Sequence, residues 1–327
     1  MPIFYCKNNI IKKGIVVEKE YLESIAQECK IYGDNDLDIA IKNIQALDER
    51  FERENLVEIY NYLLGKAVIP EILMVLIQCS DRLRDKSSLS PLLDILLMKN
   101  LNSKNNDYIN VRVMCTKALA NLKDTSAVTP LLYCLNNKDE NYKIRLACAD
   151  ALGKIGDRYA VAPLIEVVKD ESEKSVYLRE SAASALGMLG DIRAVDPLVS
   201  ILEAQKGIWD KFTFLKERII EALGKLRFSD DERVFNALKN SLIDESPQIR
   251  INAIEAIMDS DNPKAVETIK TCLLEDSDEE VKKNAMIALY NLIGREILDE
   301  VISSPDFSDL LKMEAVSMIS EYEEDDE

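Results

Sequence analysis

Histidine, the side chain that most often supplies a general base or a metal ligand at neutral pH, is absent from the 327-residue sequence. A Ser/His/Asp triad, a Cys/His pair and a His-ligated metal site therefore cannot form within this chain. Neither G-x-G-x-x-G nor G-x-x-x-x-G-K-[ST] occurs, so the common phosphate-binding loops are missing as well. We expect no catalytic residue, no cofactor and no metal site, and a chain that is not an enzyme.

The seven cysteines are the remaining strong nucleophiles, and their spacing argues against a shared site. They are odd in number, widely scattered and never arranged as C-x-x-C, which favours neither a disulfide framework nor a zinc site. Cys115 and Cys148 each lie three residues after an arginine, and Ala182 holds the same place in a third segment. The position requires a small apolar residue, so we expect buried thiols in a reducing cytoplasm.

One acidic run, Asp230-Asp231-Glu232, has the residue types that could collect a divalent cation. It falls where one helix should end and the next begin, and short acidic residues there usually cap a helix. We interpret the run as a helix cap.

An internal repeat dominates the sequence. A basic residue followed six positions later by alanine recurs at intervals of 32 to 37 residues. The six occurrences are Arg112/Ala118, Arg145/Ala151, Arg179/Ala185, Lys216/Ala222, Arg250/Ala256 and Lys282/Ala288. Apolar residues around each pair follow a helical spacing, which predicts one amphipathic helix per repeat.

Each repeat then predicts a turn and a second helix. The segments Gly153 to Gly156 and Gly187 to Gly190 supply residues that tolerate a left-handed turn. An Ala-Val-x-Pro-Leu run follows both, and a proline is tolerated near a helix start. One apolar face of such a helical hairpin cannot be buried alone, so neighbouring hairpins must stack into a solenoid.

The runs Ala151 to Asp157 and Ala185 to Asp191 resemble the HEAT-like repeats named after the phycobilisome bilin lyases, and the resemblance extends over about residues 106–300. It implies an all-α fold: a right-handed α-solenoid, or superhelix, of antiparallel helical hairpins. It also implies a ladder of hydrogen-bonded charges between successive hairpins. Each repeat contributes to the ladder a basic residue and the acidic or amide residue six positions earlier: Asn106/Arg112, Asp139/Arg145, Glu173/Arg179, Asp210/Lys216, Asp244/Arg250 and Asp276/Lys282.

The ends of the chain lack the repeat signature. We expect a helical N-terminal capping region over residues 1–70 and the HEAT-like solenoid over 71–320, with its clearest repeats at 106–300. An acidic tail, expected to be a solvated end, covers residues 321–327.

Charge narrows the choice of partner. The sequence has 41 Lys plus Arg against 59 Asp plus Glu, for a net charge of −18, which repels phosphate backbones. No apolar run is long enough to span a membrane. We therefore expect a cytoplasmic chain whose partner is another protein, with basic partners favoured, and neither a nucleic acid nor a membrane.

Two sets of residues are candidates for partner binding. The widened 37-residue repeat holds Trp209, Phe212 and Phe214, which form a binding anchor if exposed and otherwise fill the gap that the insertion makes. We also expect the second helices to line the concave surface. Their candidate residues are Tyr133, Glu166, Lys169 and Glu203.

The sequence therefore favours a non-catalytic protein-binding scaffold or adaptor that uses the concave face of a HEAT-like solenoid. The resemblance leaves an alternative, which is a phycobilin lyase or a lyase-type chaperone acting on a phycobiliprotein. A bilin would need an aromatic groove with basic residues for its propionates, and Arg218 and Lys211 beside the aromatic run are the nearest set. Outside this alternative, no small-molecule ligand is expected.

Overall fold

The computed structural model describes residues 19–33, 36–97, 106–204, 213–226 and 231–325. Within these ranges the chain forms α-helices and short 3-10 turns and no β-strand, as the helical spacing within the repeats predicts. The helices are α1 (Lys19–Glu28), α2 (Leu37–Gln45), α3 (Leu47–Arg50), α4 (Arg53–Leu64), α5 (Pro70–Leu83), α6 (Leu89–Leu97), α7 (Asn106–Leu122), α8 (Val128–Asn136), α9 (Tyr142–Ile155), α10 (Val161–Lys169), α11 (Val176–Leu189), α12 (Val195–Glu203), α13 (Thr213–Lys225), α14 (Glu232–Ser241), α15 (Pro247–Asp259), α16 (Ala265–Glu275), α17 (Glu279–Ile293), α18 (Glu296–Ser303) and α19 (Asp309–Asp325).

The predicted fold class is confirmed: the chain is an all-helical solenoid of antiparallel hairpins. It divides into two compact units, residues 1–127 and residues 128–327. Among the described residues no helix combines the length and the apolar character that a membrane crossing requires.

The first unit contains α1 to α7. Helix α1 packs on α4, α2 packs on α5, and α7 packs on both α5 and α6. Helix α1 ends at Glu28, and Lys30 two residues later adopts a left-handed backbone with φ 53°. Inside the core the buried Tyr60 hydroxyl donates a hydrogen bond to Asp48 at 2.9 Å.

The second unit is a stack of helical hairpins. We call α9, α11, α13, α15 and α17 the first helices, since each carries the basic residue and alanine of one repeat. We call α8, α10, α12, α14 and α16 the second helices. Neighbouring first helices pack directly against one another, and each second helix packs on a first helix.

Two of the turns show how the sequence ends one helix and starts the next. Gly156 and Gly190 end α9 and α11 with φ of 83° and 63°, the left-handed conformation that glycine tolerates best. Asp157 and Asp191 then cap short 3-10 turns through their side-chain oxygens. These turns place the following second helix antiparallel to the first.

The other two glycines of the predicted turns have a different role. Gly153 and Gly187 lie inside α9 and α11, and a Cβ atom at either one would be 2.8 Å from an α-carbon of the next first helix. We expected these glycines to lie in the turn, and the structure instead places them inside the helices. Their missing side chains let adjacent first helices approach closely.

Candidate functional site

The first helices form one layer of the second unit and the second helices form the other. The helices of the first layer are more closely spaced, which identifies the inner side of the unit. A Cβ atom on Gly187 would be 2.8 Å from the α-carbon of Ala222, and one on Gly224 would be 2.9 Å from the Cβ of Ala256. Second helices contact one another far less. The wider spacing of the second helices leaves grooves between neighbours, of about 520 Å³ between α14 and α16 and about 560 Å³ between α8 and α10. In a curved stack the closely spaced layer lies inside, so the first helices line the concave side. This corrects our expectation that the second helices do so.

Each first helix presents one narrow stripe of exposed or half-buried side chains, and the five stripes lie side by side. We call this surface the first-helix face. Its residues are Lys143, Leu146, Asp150 and Lys154 on α9, Tyr177, Glu180, Ser184 and Met188 on α11, Phe214, Glu217, Glu221 and Lys225 on α13, Gln248, Asn252, Glu255 and Asp259 on α15, and Glu280, Asn284, Ile287 and Asn291 on α17.

Ladder contacts join successive repeats in the second unit. The basic residue of one repeat meets the acidic residue of the next: Arg145 with Glu173 at 2.7 Å, Lys216 with Asp244 at 3.2 Å and Arg250 with Asp276 at 2.8 Å. Glu173 also accepts a hydrogen bond from the Ser175 backbone N–H at 3.0 Å, next to the start of α11. These charged groups hold hairpins together and are not available to a substrate.

The ladder arginines also cap helices. Through Nε, Arg145 donates to the Leu135 carbonyl near the end of α8 at 2.8 Å, and Arg179 donates to the Val168 carbonyl near the end of α10 at 3.0 Å. Such bonds satisfy carbonyls that lack a helical partner. Burial lowers the pKa of Arg179 to about 10, so this guanidinium remains charged at neutral pH.

Of the other predicted ladder residues, one donates to a backbone carbonyl, two form no ion pair within the described ranges, and two have side chains outside the described residues. In the first unit, Arg112 Nε donates to the Leu96 carbonyl at 2.7 Å. Asp139 and Lys282 form no ion pair with any residue of the described ranges. Asp210 lies outside the described residues, and so does the side chain of Asn106.

The cysteines offer no reactive thiol in the described part of the chain. The six that it contains are all buried and form no disulfide with one another: Cys29, Cys79, Cys115, Cys134, Cys148 and Cys272. Burial raises the pKa of Cys29 and of Cys272 to about 11 and raises the pKa of Cys115 as well. A thiol with a raised pKa is a poor nucleophile at neutral pH.

The acidic run before α14 caps that helix. Asp231 accepts a hydrogen bond from the Arg233 backbone N–H at 3.0 Å, and Glu232 pairs with Lys264 at 2.7 Å. Asp230 lies outside the described residues. Across the ranges that the structure covers, no three Cys, Asp or Glu side chains converge as a metal site would require.

The predicted partner-binding residues fall on two different surfaces. The four on the second helices lie outside the first-helix face: Tyr133, Glu166, Lys169 and Glu203. Phe214 is exposed at the start of α13 and belongs to the first-helix face. Trp209 and Phe212 lie outside the described residues, as does Lys211.

Beside Phe214 the structure shows a groove that sequence reasoning missed. Tyr142, Tyr177, Phe214 and Glu180 line this groove, which has a volume of about 650 Å³. Burial raises the pKa of Glu180 and of the nearby Glu217 above the ordinary glutamate value. The pattern Tyr177-x-x-Glu180 recurs as Phe214-x-x-Glu217 at the same position in the next repeat, a signal that was readable in the sequence.

Comparison with known proteins agrees with this architecture. The sequence profile of HEAT repeats matches residues 96–176, 138–208 and 210–290, which together make up more than half of the chain. No curated protein sequence matches the chain.

Solved structures share the fold at low sequence identity. A structure of Kap95p with RanGDP is 14% identical over 92% of this chain and 47% of that chain, with a TM-score of 0.58. Kap121p is 13% identical over 94% of this chain and 38% of that chain, with a TM-score of 0.51. The CpcE and CpcF complex of phycocyanin lyase from Nostoc sp. PCC7120 is 21% identical over 71% and 87%, with a TM-score of 0.46. The chain thus spans less than half the length of either karyopherin.

Proposed function

Because the chain belongs to the HEAT-repeat family, we propose that it is a non-catalytic protein-binding scaffold that holds another protein on the first-helix face. Stacked hairpins present extended concave surfaces, which suit an extended or helical partner better than a small substrate. The net charge of −18 favours a partner with a basic contact surface.

One observation carries this proposal: side chains on the first-helix face vary from repeat to repeat, while the buried side chains between repeats recur. Buried positions recur from repeat to repeat, as in Ala151, Ala185 and Ala222. Exposed positions change instead, as at Lys154, Met188 and Lys225, which occupy the same place in successive repeats. A surface that varies over a constant scaffold is what specific recognition of one partner requires.

The karyopherin structures support the proposal in general terms. Kap95p was solved in a study of its binding to RanGDP, and Kap121p has been solved bound to Nup53p. Helical solenoids of this fold therefore hold protein partners.

No specific observation favours the bilin-lyase alternative. Arg218, the one described basic residue nominated for the pigment's propionates, pairs with Glu221 at 2.6 Å. Glu180 and Glu217 lie nearby and would repel a carboxylate ligand.

The test is affinity capture from a lysate of the native cells, with purified wild-type chain and two single variants as bait. Ser184→Arg places a long cation in the middle of the first-helix face. Ser200→Arg makes the same change on the exposed side of α12 and is the matched control. We expect wild type and Ser200→Arg to capture the same protein saturably and Ser184→Arg to lose it. Equal capture by all three baits, or no saturable protein at all, would contradict the proposal.

A further inference from the structure

Two neighbouring first helices carry the same pair of side chains. Tyr177 and Glu180 on α11 are three residues apart, as are Phe214 and Glu217 on α13, so each pair lies on one face of its helix. The side chains of Tyr177 and Phe214 are both 66% exposed, which is unusual for large aromatic groups. Because α11 and α13 pack directly together, the two pairs are adjacent.

The aromatic rings belong to a defined groove. Tyr142, at the start of α9, joins Tyr177 and Phe214 in lining it. The volume of about 650 Å³ is large enough to admit one or more long side chains of a partner. Aromatic ring faces are electron-rich, and they attract cations placed over them.

The carboxylates of the two pairs lack partners. Neither Glu180 nor Glu217 makes a hydrogen bond or an ion pair with any residue of the described ranges. Both are half-buried, and Glu217 further raises the pKa of Glu180 by like-charge repulsion. Arg218 also faces Glu180, but its guanidinium is bonded to Glu221. Two half-buried carboxylates are thus held near each other, and Arg218 lowers the pKa of both through its charge but bonds to neither.

The basic residues of the groove do not neutralise them. Lys138 pairs with Asp170 at 2.7 Å, and Arg145 pairs with Glu173 at 2.7 Å. Lys174 is exposed at the rim, and Glu140 lies on the same rim with the opposite charge. Farther along the first-helix face, Glu255 and Asp259 on α15 are exposed and form no ion pair within the described ranges.

We propose that the two aromatic and glutamate pairs, Tyr177 with Glu180 and Phe214 with Glu217, form a subsite for an arginine side chain in an extended basic segment of the partner protein. The guanidinium group is planar, so it can stack on an aromatic ring while its N–H groups donate two bonds to a carboxylate. A lysine ammonium can satisfy only one of these contacts well. The inference rests on the proposed function and specifies which chemistry the scaffold recognises.

The experiment measures fluorescence anisotropy of a labelled peptide in which arginine alternates with serine, titrated with the full chain. The site variants are Tyr177→Ala and the double change Glu180→Gln with Glu217→Gln. The matched controls are Tyr159→Ala and Glu275→Gln, which alter an exposed tyrosine and an exposed glutamate elsewhere in the second unit. Peptides with lysine or glutamine in place of arginine, and free spermidine as competitor, complete the set.

We expect saturable binding of the arginine peptide that each site variant weakens by about tenfold or more, since a desolvated cation–π contact or charged hydrogen bond contributes on that scale. The control variants should bind as wild type does, and the lysine peptide more weakly. Equal losses in site and control variants, or displacement of the peptide by spermidine at matched charge concentration, would overturn the inference.

Failure of this inference is distinguishable from failure of the scaffold proposal. If wild type and the double glutamine variant capture the same lysate protein equally well, the arginine subsite is wrong and the scaffold proposal stands. If no protein is captured saturably, the scaffold proposal itself fails. Circular dichroism of the double variant separates lost binding from lost folding.

Discussion

At the scale of single residues, charged side chains in the second unit have two distinct uses. Those of the ladder are buried and paired: Arg145 and Glu173 are only 7% and 8% exposed and lie 2.7 Å apart. Those of the first-helix face, such as Glu180 and Glu217, are partly exposed and unpaired within the described residues. The first set stabilises the stack, and we assign the second set to recognition.

The ladder leads to a stability prediction. Arg145→Ala leaves Glu173 buried without its counter-charge, so we expect the free energy of unfolding to fall by about 3 to 5 kcal/mol. Lys138→Ala removes an ion pair whose lysine is 68% exposed and should cost less than about 1 kcal/mol. Denaturant unfolding of both variants measures the difference. Similar losses in the two variants would show that the buried ladder pair has no special role.

The unpaired glutamates lead to a prediction of opposite sign. The pKa of Glu180 is raised in the folded chain, so folding favours its protonated form. Its contribution to stability is therefore present below the unfolded pKa and is lost as the pH rises through the folded pKa. Glu180→Gln should raise the thermal midpoint at about pH 7 and give no gain near pH 4, where the glutamate is protonated.

Glu255→Gln is the matched control for this pH experiment, because Glu255 is an exposed carboxylate on the same face. We expect that variant to leave the midpoint unchanged at both pH values. A lower midpoint for Glu180→Gln at neutral pH would mean that Glu180 has a structural partner. That result would remove it from the recognition surface.

At the scale of helices, the architecture depends on how closely the first helices approach. Gly153, Gly187 and Gly224 each face an alanine of the next first helix, at distances too short for a Cβ atom. The second helices have no equivalent contact within the described ranges and are spaced more widely. This difference in spacing places the first helices on the concave side of the second unit.

Gly187→Ala tests this packing. The new Cβ atom would be 2.8 Å from the α-carbon of Ala222, so the two backbones must move apart. We expect destabilisation of about 1 to 3 kcal/mol in denaturant unfolding, typical of one extra methyl group in a tight contact. The control is Gly65→Ala at the end of α4, where the nearest atom is 3.5 Å away and φ is −72°. That change should be neutral or stabilising by up to about 1 kcal/mol. A Gly187→Ala variant as stable as wild type would contradict the close approach of the first helices.

Much of the element order was predictable because the repeat constrains it. Every hairpin must bury its apolar face on a neighbour, so one period found in the sequence predicts the helices of several repeats. The glycine roles were harder to separate, since Gly153 and Gly156 are close together in the motif but serve helix packing and turn formation respectively. The two roles can be told apart only once the next repeat is in place, because Gly153 packs against Ala185 of that repeat.

At the scale of the molecule, the sequence predicted the fold class correctly and misjudged which layer faces inward. Curvature depends on contacts between residues about one repeat apart, as between Gly187 and Ala222, and no single repeat reveals it. The candidate site was missed for the same reason. Tyr142, Tyr177 and Phe214 lie in three different repeats and meet only when those repeats stack.

Above all, we propose that the first-helix face holds a protein partner. The most direct test is site-specific photo-crosslinking in the native cell, with a benzophenone side chain placed at one position per protein. Met188 and Asn252 sample the first-helix face, and Ala162 and Asn240 sample the exposed side of the second helices. We predict that both face positions crosslink to the same protein and that neither control position does. Adducts from the control positions alone, or different and unsaturable adducts from every position, would contradict the claim.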